Sequence, residues 1–204
     1  MLSLKNLKPI GTGTNRACYI HPEDDSKCVK VTISGDFKES DKEKKYYKFL
    51  EKKNISWEMI AKYYGTVQTD MEEGLVFDLV KDYTGEVSQT LQFYLLDEEK
   101  TSSINNPIIL LQNLKEYQLK EKVIIKDLNA KNIMYQKISA DSGRLIVIDG
   151  VVNNDFLPFS SYIDFFTTRK ILRRWKTFEA SLPGNKRFKN NQLFLKLLKE
   201  NPFK

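Results

Sequence analysis

The sequence predicts an α+β fold in which a five-stranded antiparallel sheet with one helix is followed by a mainly helical part. Three observations support this prediction. Apolar and polar residues alternate with the period of a strand in much of residues 1–80, helical spacing replaces that pattern from Ser88 onward, and a length of 204 residues suits a single domain. We therefore expect one domain over residues 1–204, divided into parts of about 1–80 and 81–204.

Five strands are predicted in the first part. A first apolar run ends at Ile10, and two further runs cover residues 16–20 and 27–33. Their period-two pattern favours an antiparallel meander. The runs 60–68 and 74–80 flank a turn and complete the sheet.

Helices are predicted between and after these strands. Residues 37–53 carry a narrow stripe of aromatic and apolar side chains among Lys and Glu. A helix should start at Asn106 and continue to Leu119, because the proline at its first helical position needs no backbone hydrogen bond. Residues 88–96, 164–178 and 190–198 have the same spacing.

Composition excludes several classes of protein. The formal net charge is +6, with 12 Phe and 10 Tyr to build a core, and no apolar run approaches the ~18 residues of a membrane-spanning helix, so we expect a cytoplasmic location. The single histidine, His21, lies in an acidic turn, which argues against a Ser–His or Cys–His nucleophile. Two cysteines cannot form a disulfide framework and lack the further ligands of a zinc site, so both are expected to be reduced.

A glycine pair lies at a predicted turn between two strands. It comprises Gly11, Thr12, Gly13 and Thr14. A plain hairpin that needs positive φ explains the pair as well as a ligand does. The dinucleotide-binding motif is excluded because no helix follows, but a loop between antiparallel strands can lie over phosphates with its N–H groups.

Lys30 lies in the middle of an apolar strand. A buried ammonium group destabilises the fold unless an anion, such as a carboxylate or a phosphate, meets it. Glu43 on the following helix is the expected partner, and Glu39, one turn earlier, is the alternative. A surface ion pair of little energetic value remains the simpler explanation.

Three polar residues follow or separate apolar runs in the second part. Asp127 and Asn132 are five positions apart between two predicted strands, and Asp149 ends a run of four apolar residues before Gly150. Oxygen ligands of this kind suit Mg²⁺ held partly by substrate phosphates. Each residue alone is also typical of a turn.

The order of these features resembles that of protein kinases: glycine loop, strand lysine, helix glutamate, Asp-Leu-x-x-x-Asn, then Asp followed by Gly. This resemblance covers residues 8–152. More closely, the chain resembles the YrbL family of PhoP regulatory network proteins. The likeness rests on residues 127–133, on 148–150 without an intervening Phe, on 79–91 and on the basic run 169–175.

This resemblance implies a minimal protein-kinase-like bilobal fold and a phosphotransferase that uses ATP and Mg²⁺. Lys30 would clamp the α- and β-phosphates with Glu43 as its partner. Asp127 would orient or deprotonate an acceptor hydroxyl, while Asn132 and Asp149 would bind the metal. The acceptor would be a small or sugar-like molecule, less readily a protein. The alternative is a catalytically silent pseudokinase that binds nucleotide and acts as a regulatory module.

The resemblance also assigns the loop and the cysteines to the nucleotide. Residues 11–14 would cover the phosphates, and Cys18 and Cys28 would lie over the adenine. If the hairpin is symmetric about residues 22–25, the two cysteines are cross-strand neighbours, and a disulfide is the less favoured alternative to an apolar ceiling. The pattern departs from kinases at Arg16, which replaces the third glycine.

A basic run occupies the predicted helix near the C-terminus. Arg169 and Arg173, like Lys170 and Arg174, are spaced i,i+4, so like charges repel unless an anion is near. The run could receive an anionic acceptor or a lipid headgroup, or it could be a solvated face. Nucleic acid is the least favoured partner because aromatic residues are not interleaved for stacking.

Overall fold

The structure is a computed structural model that describes residues 1–34, 37–153 and 164–202. Within these ranges it contains a five-stranded antiparallel sheet, a three-stranded sheet and six α-helices, so the predicted α+β class is confirmed. None of the described helices is both long enough and apolar enough to cross a membrane.

The first sheet holds the strands predicted for the first part. They are β1 (Gly11–Thr12), β2 (Arg16–His21), β3 (Asp24–Thr32), β4 (Tyr63–Val67) and β5 (Gly74–Asp78), in the order β1-β2-β3-β5-β4 with every neighbour antiparallel. Because β3 is central, its second half is buried on both faces. That burial is why a continuous apolar run, interrupted by one lysine, marks this strand.

The two faces of the sheet pack against different elements. Cys28 and Phe77 belong to the large core that also contains helix α1 (Lys38–Lys52), whereas Val29 and Val31 pack with Leu2 and Leu4 in a small separate cluster. The first predicted strand is therefore wrong in part. The run up to Ile10 forms an irregular segment over the sheet, with one isolated bridge from Leu2 to Thr69, and β1 covers only Gly11–Thr12, just after that run.

The second part is built around helix α4 (Pro107–Glu121), whose first helical residue is the predicted proline. Helices α2 (Leu91–Tyr94) and α3 (Glu98–Ser102) precede it, and α5 (Asp164–Ser181) and α6 (Gln192–Glu200) follow the second sheet. The helix predicted over residues 88–96 is shorter than expected, because its start pairs as a strand and the Thr90 side chain then caps α2 by accepting a hydrogen bond from the Phe93 N–H.

The second sheet connects both parts of the fold. Its strands are β6 (Gln89–Thr90), β7 (Ile133–Lys137) and β8 (Gly143–Val147), in that order. At the end of β8, Val147 donates its N–H to the Met59 carbonyl at 2.9 Å and accepts from the Ala61 N–H at 3.0 Å. The residues after Val147 therefore start at the junction between the two sheets.

Candidate functional site

A short loop between α4 and β7 presents Asp127. Asn132 closes this loop, because its Nδ2 donates to the backbone oxygen of Asp127 at 3.0 Å and to its Oδ2 at 2.9 Å. A single 3₁₀ turn, Ala130–Asn132, shapes the interior of the loop, and Asn129 caps it by accepting from the Lys131 N–H. The Asp127 side chain is thereby exposed and oriented by its own loop.

The segment after β8 is bonded directly to this loop. Ile148 donates its N–H to the Asn132 carbonyl at 2.9 Å, and Lys126 donates to the Gly150 carbonyl at 2.8 Å. Gly150 has φ of +77°, and a Cβ there would lie 3.0 Å from the Asp127 carbonyl oxygen. A side chain would be strained both by this backbone conformation and by that contact. Glycine is therefore needed to bring Asp149 beside the loop.

Arg16 joins the first sheet to both carboxylates of the site. From the start of β2, its Nη1 donates to Oε2 of Glu43 and its Nη2 donates to Oδ1 of Asp149. From the sequence, Arg16 was identified only as a departure from the glycine pattern of kinases. Its bridge between Glu43 and Asp149 was not predicted. The sequence does show an arginine at a position where a phosphate-covering loop normally has glycine, which could have indicated a special role. The partners of Arg16 could not be identified in this way, because they lie 27 and 133 positions away.

The two carboxylates differ in their titration. Burial raises the pKa of Glu43 above its ordinary value, and the charges of Arg16 and Lys30 only partly offset this effect. Burial also favours a higher pKa for Asp149, but there Lys30, Arg16 and the Gly150 N–H outweigh it and the pKa is lowered. The Oε1 atom of Glu43 is buried without a hydrogen-bond partner among the described residues.

Lys30 is buried as predicted, with 7% of its surface exposed, but its bonded partner differs. Its Nζ donates to the Ile148 carbonyl and lies 4.4 Å from the centre of the Phe77 ring. The expected ion pair with Glu43 is thus replaced by the one from Arg16. The alternative partner, Glu39, instead accepts from Lys126 at 2.8 Å.

A cavity of about 320 Å³ lies where these elements meet. Four of the residues predicted for the site line it: Glu43, Asp127, Asn132 and Asp149. They are joined by three basic side chains, those of Arg16, Lys126 and Arg174. Lys30, the glycine loop and both cysteines do not line this cavity. The structure therefore brings together Asn132 and Asp149, predicted as metal ligands, with Asp127 and Glu43 of the predicted catalytic residues, whereas the predicted catalytic Lys30 and the nucleotide-covering residues lie outside the cavity lining.

The donor atoms fit a cation shared with phosphate. Both hydrogen bonds of the Asp149 carboxylate go to Oδ1, and the side-chain hydrogen bonds of Asn132 use Nδ2. Asp149 Oδ2 and Asn132 Oδ1 therefore remain for a ligand such as Mg²⁺, which takes one or two protein oxygens together with substrate phosphates. Within the described ranges, no cluster of three or more His, Cys, Asp or Glu has metal-ligand geometry.

The glycine loop is exposed at the edge of the sheet. Gly13 donates to the Arg16 carbonyl at 2.8 Å, which closes the turn of the hairpin. The alternative of a plain hairpin that needs positive φ is not supported, since only Gly65, Gly85 and Gly150 have positive φ among the described glycines. A Cβ on Gly11 would meet nothing within 4 Å. The fold alone therefore gives no reason for glycine at position 11.

The cysteines are diagonal neighbours and not the directly opposed pair that symmetry predicted. Cys18 lies opposite Lys30 and Cys28 lies opposite Ile20, because a bulge follows Ile20. Both thiols are free. A hydrogen bond with Cys28, assisted by the nearby Lys30 charge, lowers the pKa of the Cys18 thiol against the effect of burial. The same contact and burial raise the pKa of Cys28.

The predicted basic run lies on α5, and its members have different surroundings. Arg169 and Arg173 are exposed, whereas Lys170 and Arg174 are half-buried. Lys170 donates to Asn153 at 2.6 Å. Arg174 is the member of the run that lines the cavity. The four residues therefore do not act as one patch.

Comparison with known proteins identifies the family. A family model described as PhoP regulatory network protein YrbL matches residues 2–183. The chain belongs to the YrbL family. The uncharacterized protein YrbL of Escherichia coli (strain K12) is 33% identical over 183 residues, which cover 88% of this chain and 87% of that relative. YrbL of Shigella flexneri gives the same values. The part matched to the YrbL family contains every candidate site residue, from Gly11 to Arg174.

Proposed function

We propose that this protein is an ATP- and Mg²⁺-dependent phosphotransferase of kinase-like bilobal fold, acting on the hydroxyl group of a small or sugar-like acceptor. The observation that carries the proposal is the convergence of Asp127, Asn132 and Asp149 on one cavity. Asp127 and Asn132 share one loop, Asp149 follows a separate strand, and the three occur in the order that phosphotransferases of this class use. Residues 1–80 and 81–204 would be the two lobes.

Phosphoryl transfer depends mainly on positioning and on neutralising charge. Asp127 is exposed to the cavity and fixed by Asn132, so it can accept the proton of an acceptor hydroxyl. Asn132 and Asp149 would hold Mg²⁺, which when bound neutralises charge on the phosphate oxygens. The ammonium of Lys30, bonded to the backbone one residue before Asp149, would add positive charge behind the phosphates.

The exposed glycine loop supports the nucleotide part of the proposal. Glycine at position 11 is explained neither by φ nor by close packing within the chain. Close approach of a ligand to the backbone is a further reason for glycine, and N–H groups of such a loop can bind phosphate oxygens.

The decisive experiment is Mg²⁺-dependent ADP formation from ATP by the wild type and by Asp127→Asn. If Asp127 acts as the base, its loss should lower the rate by ~10²–10⁴-fold. Asp141→Asn is the control, because Asp141 is exposed in the turn before β8 and its side chain makes no hydrogen bond to the described residues. Equal rates for the wild type and Asp127→Asn would overturn the proposal.

A second candidate is a regulatory module that binds nucleotide without transferring phosphate. Its supporting observation is Arg16, which already neutralises Glu43 and the proposed metal ligand Asp149. The family description, which names a regulatory network, agrees with this candidate. It predicts that Mg·ATP raises the melting temperature of the wild type but not of Asp149→Ala, while the wild type forms no ADP.

A further inference from the structure

One charged side chain of the cavity is not part of its ion-pair network. Within residues 1–34, 37–153 and 164–202, Arg16 pairs with Glu43 and Asp149, and Lys126 pairs with Glu39. Arg174 forms no ion pair with any of these residues, and its Nε is buried without a hydrogen-bond partner. A buried Nε–H without a hydrogen-bond partner is costly, and an anion bound in the cavity would supply that partner.

The helix that carries Arg174 is held firmly. The next residue, Trp175, is fully buried and donates its Nε1 hydrogen to Oε1 of Gln118 on α4 at 2.6 Å. Ile171, one turn earlier, is also buried. Because buried residues fix the rotation of α5 about its axis, packing places Arg174 at the cavity.

Asp127 and Arg174 share one cavity. Both residues line it, together with Lys126 and the backbone of Gly150. A guanidinium group presents paired N–H donors that match phosphate and carboxylate oxygens, and such charge-assisted bonds are stronger than neutral ones. A molecule that placed a hydroxyl at Asp127 would therefore have its anionic group within the same cavity as Arg174.

We propose that the phosphoryl acceptor is a small anionic hydroxyl compound, whose phosphate or carboxylate group is bound by Arg174. This inference rests on the proposed function and specifies its substrate. In the transfer, the acceptor hydroxyl oxygen forms the new bond to the γ-phosphorus of ATP and its proton passes to Asp127. The bond between the γ-phosphorus and the bridging oxygen breaks, and ADP leaves with that electron pair.

The test measures binding of inorganic phosphate and of acetate to the full chain by calorimetry, with and without saturating Mg·ADP. Wild type should bind at least one of the two anions, and Arg174→Met should weaken that binding by ~10–100-fold, as expected for a hydrogen-bonded charge. Arg173→Met is the matched control and should bind as the wild type does, because Arg173 is exposed and does not line the cavity. The anion that binds more tightly identifies the chemical class of the acceptor.

A conservative variant separates this role from folding. Arg174→Lys keeps the charge but loses the paired donors, so its anion affinity should lie between those of the wild type and Arg174→Met while its melting temperature stays near that of the wild type. Anion affinity that is unchanged in both variants, or absent from the wild type, would overturn the inference. Binding of Mg·ADP is the separate readout of the proposed function, and it should survive in Arg174→Met. A wild type that binds no Mg·ADP would overturn the nucleotide site itself.

Discussion

The two sides of the cavity differ in how their charges are satisfied. On the sheet side, Arg16 and Lys30 donate to Glu43, Asp149 and a backbone carbonyl. On the helix side, Asp127 is exposed and Arg174 has no ion-pair partner among the described residues. A bonded network resists rearrangement, whereas an exposed carboxylate and a guanidinium group without an ion pair to the described residues retain their capacity for a ligand. The sheet side is therefore organised in advance, and the helix side supplies the groups that a substrate can engage.

The largest expected loss of stability comes from replacing Gly150, whose carbonyl joins the segment after β8 to the loop of Asp127 by accepting from the Lys126 N–H. Gly150→Ala would adopt φ of +77° and would bring a Cβ to 3.0 Å from the Asp127 carbonyl. We expect a loss of ~1–2 kcal/mol from the backbone conformation and a further ~1–3 kcal/mol from overpacking. Urea unfolding measures the total.

Gly85→Ala is the matched control for this prediction. Gly85 has φ of +88°, but a Cβ there would meet nothing within 4 Å. Its free energy of unfolding should fall only by the ~1–2 kcal/mol that the backbone conformation costs. Equal losses in the two variants would mean that contact with Asp127 does not require glycine at position 150.

An effect of intermediate size is expected in the pH dependence of stability. It should differ between Glu43 and Asp149, the two carboxylates that pair with Arg16. The pKa of Glu43 is raised above 4.5, so its contribution to stability is present at low pH and is lost as pH rises through the folded-state pKa. The stability of Glu43→Gln relative to the wild type should therefore increase as pH rises from about 4.5.

Asp149 should behave in the opposite way. Its pKa is lowered from 3.8, so its contribution is present above that value and is lost as pH falls through the folded-state pKa. The stability of Asp149→Asn relative to the wild type should be lowest and constant above about pH 4.5 and should recover only below 3.8. Unfolding by urea at several pH values, in EDTA, measures both curves. Parallel curves for the two variants would contradict the opposite pKa directions.

The smallest expected effect is a difference in the reactivity of Cys18 and Cys28, which both lie in the first sheet. It involves no change in stability. Cys18 is half-buried with a lowered pKa, whereas Cys28 is buried with a raised pKa. Iodoacetamide at mildly alkaline pH should therefore alkylate Cys18 at least ~10 times faster than Cys28, which mass spectrometry of peptides can follow. In Cys18→Ala only Cys28 remains, so this variant should react slowly with iodoacetamide. If Cys28 reacts first, the assignment of the two thiols is wrong.

Much of the fold follows from local sequence patterns. The central strand β3, the helix α1 and the proline-led helix α4 were predicted because burial imposes a regular spacing within each segment. The first apolar run was misread because Leu2 and Leu4 are buried on the face of a sheet, where only Leu2 pairs, through an isolated bridge to Thr69. Apolar spacing reports burial, and hydrogen-bond pairing has to be inferred separately.

The candidate site was predictable only where a residue's neighbours in sequence decide its position. Asp127 and Asn132 share one loop, so their convergence follows from their spacing. The bridge formed by Arg16 depends on three elements that are far apart in the chain, and nothing near Arg16 indicates its partners. The preference of Lys30 for a backbone carbonyl is equally non-local, because Ile148 is 118 positions away.

The two backbone hydrogen bonds of Val147 limit how the cavity can change shape. Both the N–H and the carbonyl of this residue are bonded to the segment before β4, which fixes the end of β8 to the first part of the fold close to Asp149. The next two residues are held as well, because Ile148 accepts from Lys30 and Asp149 accepts from Arg16. A change of shape that keeps these bonds therefore has to come from other walls of the cavity, such as α5, which carries Arg174.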